Sequence, residues 1–330
     1  MIKVEGLTKR YARHVAVDHI SFEVTKGQIV GFLGPNGAGK TTTMRMLTCF
    51  MPPTEGSAEV AGFDVQQNPM EVKRRIGYLP ETPPVYPEME VAEYLDFVAR
   101  IKNIPKAGRQ QRINQVMERC AVADVRNKEI GKLSKGYRQR VGLAQAIIHN
   151  PDVLILDEPT AGLDPHQIME TRDLIKELAG EHTIILSTHI LPEVEQICER
   201  VVIIAKGKLV ATDTVENLTR GLRGAEIVAL EVMGGDESVI RERLERIAGV
   251  SKVTLKEPAG GPAHGMLRLT IEGDKAQNVR PELARAIVES GWQLNELHGM
   301  SMSLEEIFLE LTGDKTEVSA DAAEAPGAAL

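Results

Sequence analysis

The groups best able to do chemistry in this sequence sit in one glycine-rich stretch. Residues 34–42 read Gly34-Pro35-Asn36-Gly37-Ala38-Gly39-Lys40-Thr41-Thr42, directly after the apolar run Ile29-Val30-Gly31-Phe32-Leu33. Glycines free of Cβ clashes let the backbone curl, so successive N–H groups converge on phosphate oxygens while a following helix adds its positive end. The pattern predicts a strand, a phosphate-cradling loop and a helix, with Lys40 giving a point charge to the β and γ phosphates and Thr41 a hydroxyl for Mg²⁺. A second constellation ends the apolar run Val153-Leu154-Ile155-Leu156 with two acids, Asp157 and Glu158. Phosphoryl transfer asks for positioning and charge stabilisation, which places Asp157 on the metal side and Glu158 on the side of an attacking water. Acids at the carboxyl end of a buried strand lie where open α/β sheets bind ligands.

These groups need a sheet to hold them. Short apolar runs with β-branched residues recur at 2–4, 29–33, 153–156, 183–186 and 201–205, separated by segments of helical periodicity. This predicts an α/β fold with buried central strands. Between 88 and 131, Val91, Leu95, Val98 and Ile101, then Ile113, Val116 and Met117, keep helical spacing with no strand between them. A helical insertion over about 88–145 follows, within a first domain over 1–222. The order β-α-β-β-α-β beyond it suits a small ferredoxin-like α+β domain over 223–312. In that domain Pro258 to Gly265 read as the loop between the middle strands, and Pro281 to Ser290 as a helix closed by Gly291. Residues 313–330, Ala-rich and acidic, read as a disordered tail.

Composition narrows the class further. A formal net charge of −8 leaves no phosphate-backbone footprint, so no nucleic-acid partner is expected. Runs such as Val201 to Ala205 fall far short of the roughly 20 residues that span a bilayer. The start Met1-Ile2-Lys3-Val4-Glu5 lacks a secretion signal, which places the chain in the cytoplasm. Cys49, Cys120 and Cys198 show no CxxC spacing and read as reduced, buried thiols rather than a metal site.

Just upstream of the paired acids, Leu133-Ser134-Lys135-Gly136-Tyr137-Arg138-Gln139 resembles the signature motif of ABC (ATP-binding cassette) ATPases. Other matches fall in family order: Val153 to Thr160 resembles Walker B, Ala161-Gly162-Leu163-Asp164 the D-loop, and Ser187-Thr188-His189 the switch histidine. The resemblance implies a P-loop ABC ATPase cassette, a mixed sheet core with a helical insertion, that hydrolyses ATP with Mg²⁺. It also implies a head-to-tail homodimer or heterodimer, in which Ser134, Lys135, Gly136 and Tyr137 of one subunit cap the γ-phosphate held by the other's glycine-rich loop. Lys135 and Tyr137 depart from the usual Leu-Ser-Gly-Gly-Gln. By the same resemblance Tyr11 stacks on adenine, His189 bonds the γ-phosphate and orients Glu158, and Asp164 runs along the dimer interface. Glu81 fills the place where the family usually carries a glutamine as Mg²⁺ ligand and hinge, and its carboxylate is a harder ligand than an amide.

The pairing of Gly77-Tyr78-Leu79-Pro80-Glu81 with Leu133 to Arg140 looks like the ABC-2-type exporter ATPases, most closely the gliding-motility-associated ATP-binding subunits. Ser303 to Thr312 resembles the closing helix of that group. The resemblance implies separately encoded integral-membrane permease subunits as partners, with this chain peripheral on the inner face of the membrane. The alternative is a soluble ABC ATPase acting on ribosomes or nucleic acid. A single cassette, no sustained heptads and an acidic balance weigh against it. The domain after 222 reads as a dimerisation or stability module in preference to a ligand sensor, because His264 and His298 are isolated there.

Overall fold

Alternating burial builds the first sheet of the computed structural model. In β1 (Ile2–Tyr11) and β2 (His14–Val24), Ile2, Val4, Ile20, Phe22 and Val24 are buried while Lys3, Glu5, Ser21 and Glu23 face solvent. Ile2 pairs with Val24 and Val4 with Phe22, which keeps the apolar set on one face. The chain then enters β3 (Ile29–Leu33), buried along its whole length, and crosses the glycine-rich loop into α1 (Lys40–Leu47). After β4 (Glu55–Val60) and β5 (Phe63–Asp64), the first sheet is complete in the order β2-β1-β4-β5. Next come α2 (Pro69–Arg75), β6 (Ile76–Leu79) and the helices α3 (Val91–Ile101), α4 (Lys106–Arg119, broken at Ala107–Gly108) and α5 (Lys135–Ile147). No strand interrupts 91–147, in keeping with a helical insertion.

The second sheet gathers the site. With β7 (Val153–Asp157), α6 (Pro165–Ala179), β8 (Thr183–Thr188), α7 (Leu191–Ile197), β9 (Arg200–Ala205) and β10 (Lys208–Thr214), its order is β10-β9-β3-β8-β7-β6. Neighbouring strands run parallel from β9 to β6, and β10 is antiparallel to β9. The carboxyl ends of β3, β6, β7 and β8 therefore open on one edge, which delivers the glycine-rich loop, Glu81, the paired acids and His189 to the same place. Phe32 of this sheet meets Phe22 of the first at 5.5 Å between ring centroids, within one buried core.

The structure describes residues 1–221, 227–255, 266–273, 279–300 and 308. The chain divides into two units at Val215–Glu216, earlier than the expected boundary at 222, and α8 (Val215–Gly221) begins at that point. In the second unit β11 (Ile227–Met233), α9 (Glu237–Glu245), β12 (Val250–Leu255), β13 (Met266–Gly273), α10 (Arg280–Glu289) and β14 (Gln293–Met300) form an antiparallel sheet in the order β12-β13-β11-β14. Val228, Leu230 and Val232 share a core with Ile240, Leu244, Leu283 and Ile287. Ile240 and Leu244 carry the buried stripe of α9, and Val239 is 54% exposed. The loop expected at Pro258 to Gly265 and the tail at 313–330 lie outside the described residues, as does all but Phe308 of the helix expected at Ser303 to Thr312.

Candidate functional site

The loop after β3 leads into a helix start that no side chain covers. Gly39, the residue before α1, has φ 109, a left-handed value that a side chain would strain, and a Cβ there would meet the Ala16 carbonyl at 2.6 Å. No side chain caps α1 and no acid sits in its first turn, so the leading N–H groups and the positive helix end are left for an anion. Lys40, only 6% exposed, folds its ammonium back onto the loop and donates to the carbonyls of Gly34 at 2.7 Å and Pro35 at 3.3 Å. Asn36, Gly37, Gly39, Lys40, Thr41 and Thr42 line a cleft of about 530 Å³, while Gly34 and Ala38 are buried behind it.

The acids meet this loop from β7. Thr41 Oγ1 donates to Asp157 Oδ1 at 3.3 Å, and Ser187 Oγ donates to the same oxygen. Asp157 Oδ2 is buried without a protein partner, which is the donor set a hard divalent cation takes beside a hydroxyl and substrate phosphates. Glu158 is 7% exposed and stands between the Lys40 ammonium and the His189 ring, with Lys40 Nζ at 3.4 Å from Oε1 and His189 Nδ1 at 2.9 Å from Oε2. Its backbone takes φ 50, a left-handed value rare outside glycine, held by Glu158 N–H bonds to Ser187 Oγ and the Ser187 carbonyl, both at 3.1 Å. Lys40 is thus shared between loop carbonyls and Glu158. Burial, with the nearby Asp157 charge adding to it, pushes the phenol of Tyr78 in β6 up to about 12.

The remaining expected residues divide between cleft and outer surface. Tyr11, Glu81 and His189 line the cleft together with Glu158. Tyr11 ends β1 and is 43% exposed, its hydroxyl donating to Met51 Sδ at 3.0 Å and the Lys9 ammonium lying over its ring at 5.5 Å from the centroid. Ser134, Lys135, Gly136 and Tyr137 do not line the cleft. They form the start of α5, where Ser134 Oγ accepts from the Tyr137 N–H at 3.3 Å and the Tyr137 hydroxyl donates to Asp124 at 2.7 Å. Gly136 is required by a close approach, since a Cβ there would meet Gln167 Oε1 at 2.5 Å. Asp164 caps α6 by accepting from the Gln167 N–H at 2.9 Å, and the side chain of Gln167 is the group that approaches Gly136.

Sequence reasoning missed three groups at this edge. His14 and Ala16 line the cleft because β2 returns beside Tyr11, and the alternation of Ile20, Phe22 and Val24 was the signal for that strand. Ser187 sat inside the Ser187-Thr188-His189 string, yet its hydroxyl bridges Asp157 and the Glu158 N–H. A second groove of about 550 Å³ opens between α2, β6 and α3, where Phe50, Met70 and Ile101 are exposed by 60% or more beside Lys73, Arg74 and Lys102. His149 lines it with its imidazole pushed down to about 4 by burial, so the ring is neutral near pH 7. Burial also pushes the Cys120 thiol up to about 12, which leaves it unreactive.

A glycine cradle, a buried lysine, paired acids and a histidine gathered at one edge of a parallel sheet define a P-loop nucleotidase. A family model described as ABC transporter matches residues 17–161. The chain is 36% identical over 318 residues to the bacitracin transport ATP-binding protein BcrA of Bacillus licheniformis, a match that covers 96% of this chain and 98% of that protein. It is 33% identical over 321 residues to the daunorubicin resistance ATP-binding protein DrrA2 of Streptomyces coeruleorubidus, covering 96% of each. It is also similar to the solved structure of an ATP binding subunit of an ABC transporter, with 31% identity and a TM-score of 0.63 over 68% of this chain and 95% of that one. The chain belongs to the ABC transporter ATP-binding family, and its cassette is an ATPase coupled to transport.

Proposed function

We propose that this chain drives an ABC-2-type exporter as a head-to-tail dimer of cassettes, on separately encoded permease subunits at the inner face of the cell membrane. One observation carries the reading: the cleft holding Lys40, Glu158 and His189 lacks the signature residues Ser134 to Tyr137, which sit elsewhere on the same chain. A second copy turned head to tail supplies them. The relatives named for bacitracin transport and daunorubicin resistance support export over ribosomal or nucleic-acid work. No helix among the described residues is long and apolar enough to cross a membrane, so the path for cargo belongs to a partner. The groove bearing Phe50, Met70 and Ile101 is the surface offered to it. A tagged chain expressed in its own cell is expected in the membrane fraction, bound to a multispanning protein; recovery on ribosomes instead would sink the exporter reading.

In this reading ATP lies along residues 34–42, with Lys40 on the β and γ phosphates, Thr42 beside them and Tyr11 against the adenine. Thr41, Asp157 and Glu81 would hold Mg²⁺, which when bound neutralises phosphate charge. Glu158 takes a proton from the attacking water, and His189 holds Glu158 and reaches the γ-phosphate. Glu81 is exposed and lines the cleft, a place where a carboxylate competes with solvent for the cation. Glu81→Gln is expected to raise the Mg²⁺ concentration needed for half-maximal turnover several-fold, roughly the effect of losing a charged ligand. An unchanged Mg²⁺ titration would remove Glu81 from the ligand set.

A further inference from the structure

Glu193 is a carboxylate that the reaction does not use, 2% exposed, in the first turn of α7. Burying an acid is costly unless hydrogen bonds compensate it, so its partners are informative. Oε2 accepts from Thr160 Oγ1 at 2.8 Å and from Thr188 Oγ1 at 3.1 Å, while Oε1 is buried with no protein partner. Both threonines belong to the segments that carry the hydrolytic pair. Thr160 follows Glu158 and Pro159, in a turn closed by the Ala161 N–H bond to the Glu158 carbonyl at 3.1 Å, and Thr188 immediately precedes His189. Since His189 Nδ1 also lies 2.9 Å from Glu158 Oε2, the chain from Glu158 to Thr160, Glu193, Thr188 and His189 closes into a ring.

That ring is closed by one noncovalent contact at the cleft and by the two hydrogen bonds to Glu193 beneath it. The link at the cleft is weak in water, because the His189 side chain is 48% exposed. Beneath it, Glu193 is shielded and joins two separate segments through two hydroxyls on one oxygen. The turn at Glu158 is held in the left-handed region, a conformation that persists only when its surroundings over-determine it. We propose that Glu193 is a positioning residue that fixes the spacing of Glu158 and His189 through Thr160 and Thr188. This rests on the reading of Glu158 and His189 as the pair that activates water. Loosening the buried link lets the two segments drift, and a displacement near 1 Å is enough to cost rate while phosphate binding at Lys40 is untouched.

The test uses the full chain with Mg–ATP and the variants Glu193→Gln, Thr160→Val and Thr160→Ser, each alone and with His189→Ala. Glu193→Gln and Thr160→Val are expected to lower kcat about tenfold with KM for ATP unchanged within about twofold, and Thr160→Ser to restore it. In the His189→Ala background, Glu193→Gln is expected to add no further loss, because the geometry it protects is already gone. In the nucleotide-free chain the ¹⁵N ring signals of His189, assigned by their absence from His189→Ala, are expected to shift in Glu193→Gln. Native kcat in Glu193→Gln, or its full loss repeated on top of His189→Ala, or unmoved His189 signals, overturns the proposal. If Glu193→Gln does not fold, Thr160→Val and Thr160→Ser decide the matter by the same criteria. A wild-type chain without Mg–ATP hydrolysis would count against the ATPase assignment of Glu158 and His189, while the ring signals still report whether Glu193 holds His189.

Discussion

Glu158→Gln is expected to cut ATP turnover by about 100- to 10,000-fold, the range a positioned general base contributes, and to leave ATP holding two copies of the chain together. The amide matches the carboxylate in shape but cannot accept the proton of the attacking water. It also carries no charge, so Lys40, which lies 3.4 Å from Oε1, loses a competing anion and turns to the loop carbonyls or to phosphate. ATP binding is therefore preserved or tightened while the step that dissolves the dimer is blocked. Phosphate release in the steady state, paired with the molecular mass in Mg–ATP, reads both effects. Hydrolysis at the native rate would remove Glu158 from its assigned role.

Lys40→Ala acts on the other half of the same contact. One charge-assisted hydrogen bond to phosphate is worth roughly 1.5–3 kcal/mol, so nucleotide affinity is expected to weaken by about 10- to 150-fold. The substitution also strips Glu158 of a buried cation. Both side chains are less than a tenth exposed, and removing one partner from such a pair leaves an uncompensated charge. A lower midpoint in thermal unfolding without nucleotide, together with the weaker Kd by fluorescent-nucleotide titration, separates the fold effect from the binding effect. An unchanged Kd would show that the backbone cradle alone carries the phosphates.

Much of this edge was readable because its chemistry is tied to chain order. A buried strand followed by glycines and a lysine, or by two acids, fixes where side chains emerge, and β3, β7 and β8 place them as their sequences imply. The fold around them was less legible where burial is partial. β10 sits at a sheet edge with Lys208 exposed and weakly patterned neighbours, and β6 is a four-residue strand whose sequence read as the lead-in to Glu81. Glu193 was invisible for a different reason. A glutamate early in a short helix is ordinarily a solvated residue near the positive helix end, and nothing local announces that Thr160, 33 residues upstream, donates to it. Partners set by tertiary contact leave no periodic trace.

The separation of Ser134 to Tyr137 from the cleft has a kinetic meaning. If the catalytic centre is divided between two copies as proposed, it is a second-order object: free in solution, its formation depends on the square of chain concentration. In the proposed assembly, seating two copies side by side on a permease would replace that search with an effective concentration that reaches the millimolar range for closely tethered modules. The membrane partner then does more than receive a conformational stroke. It would set the local molarity at which the composite site forms, so that in the proposed assembly the amount of permease in the membrane, and not the amount of this chain, is the throttle on ATP consumption.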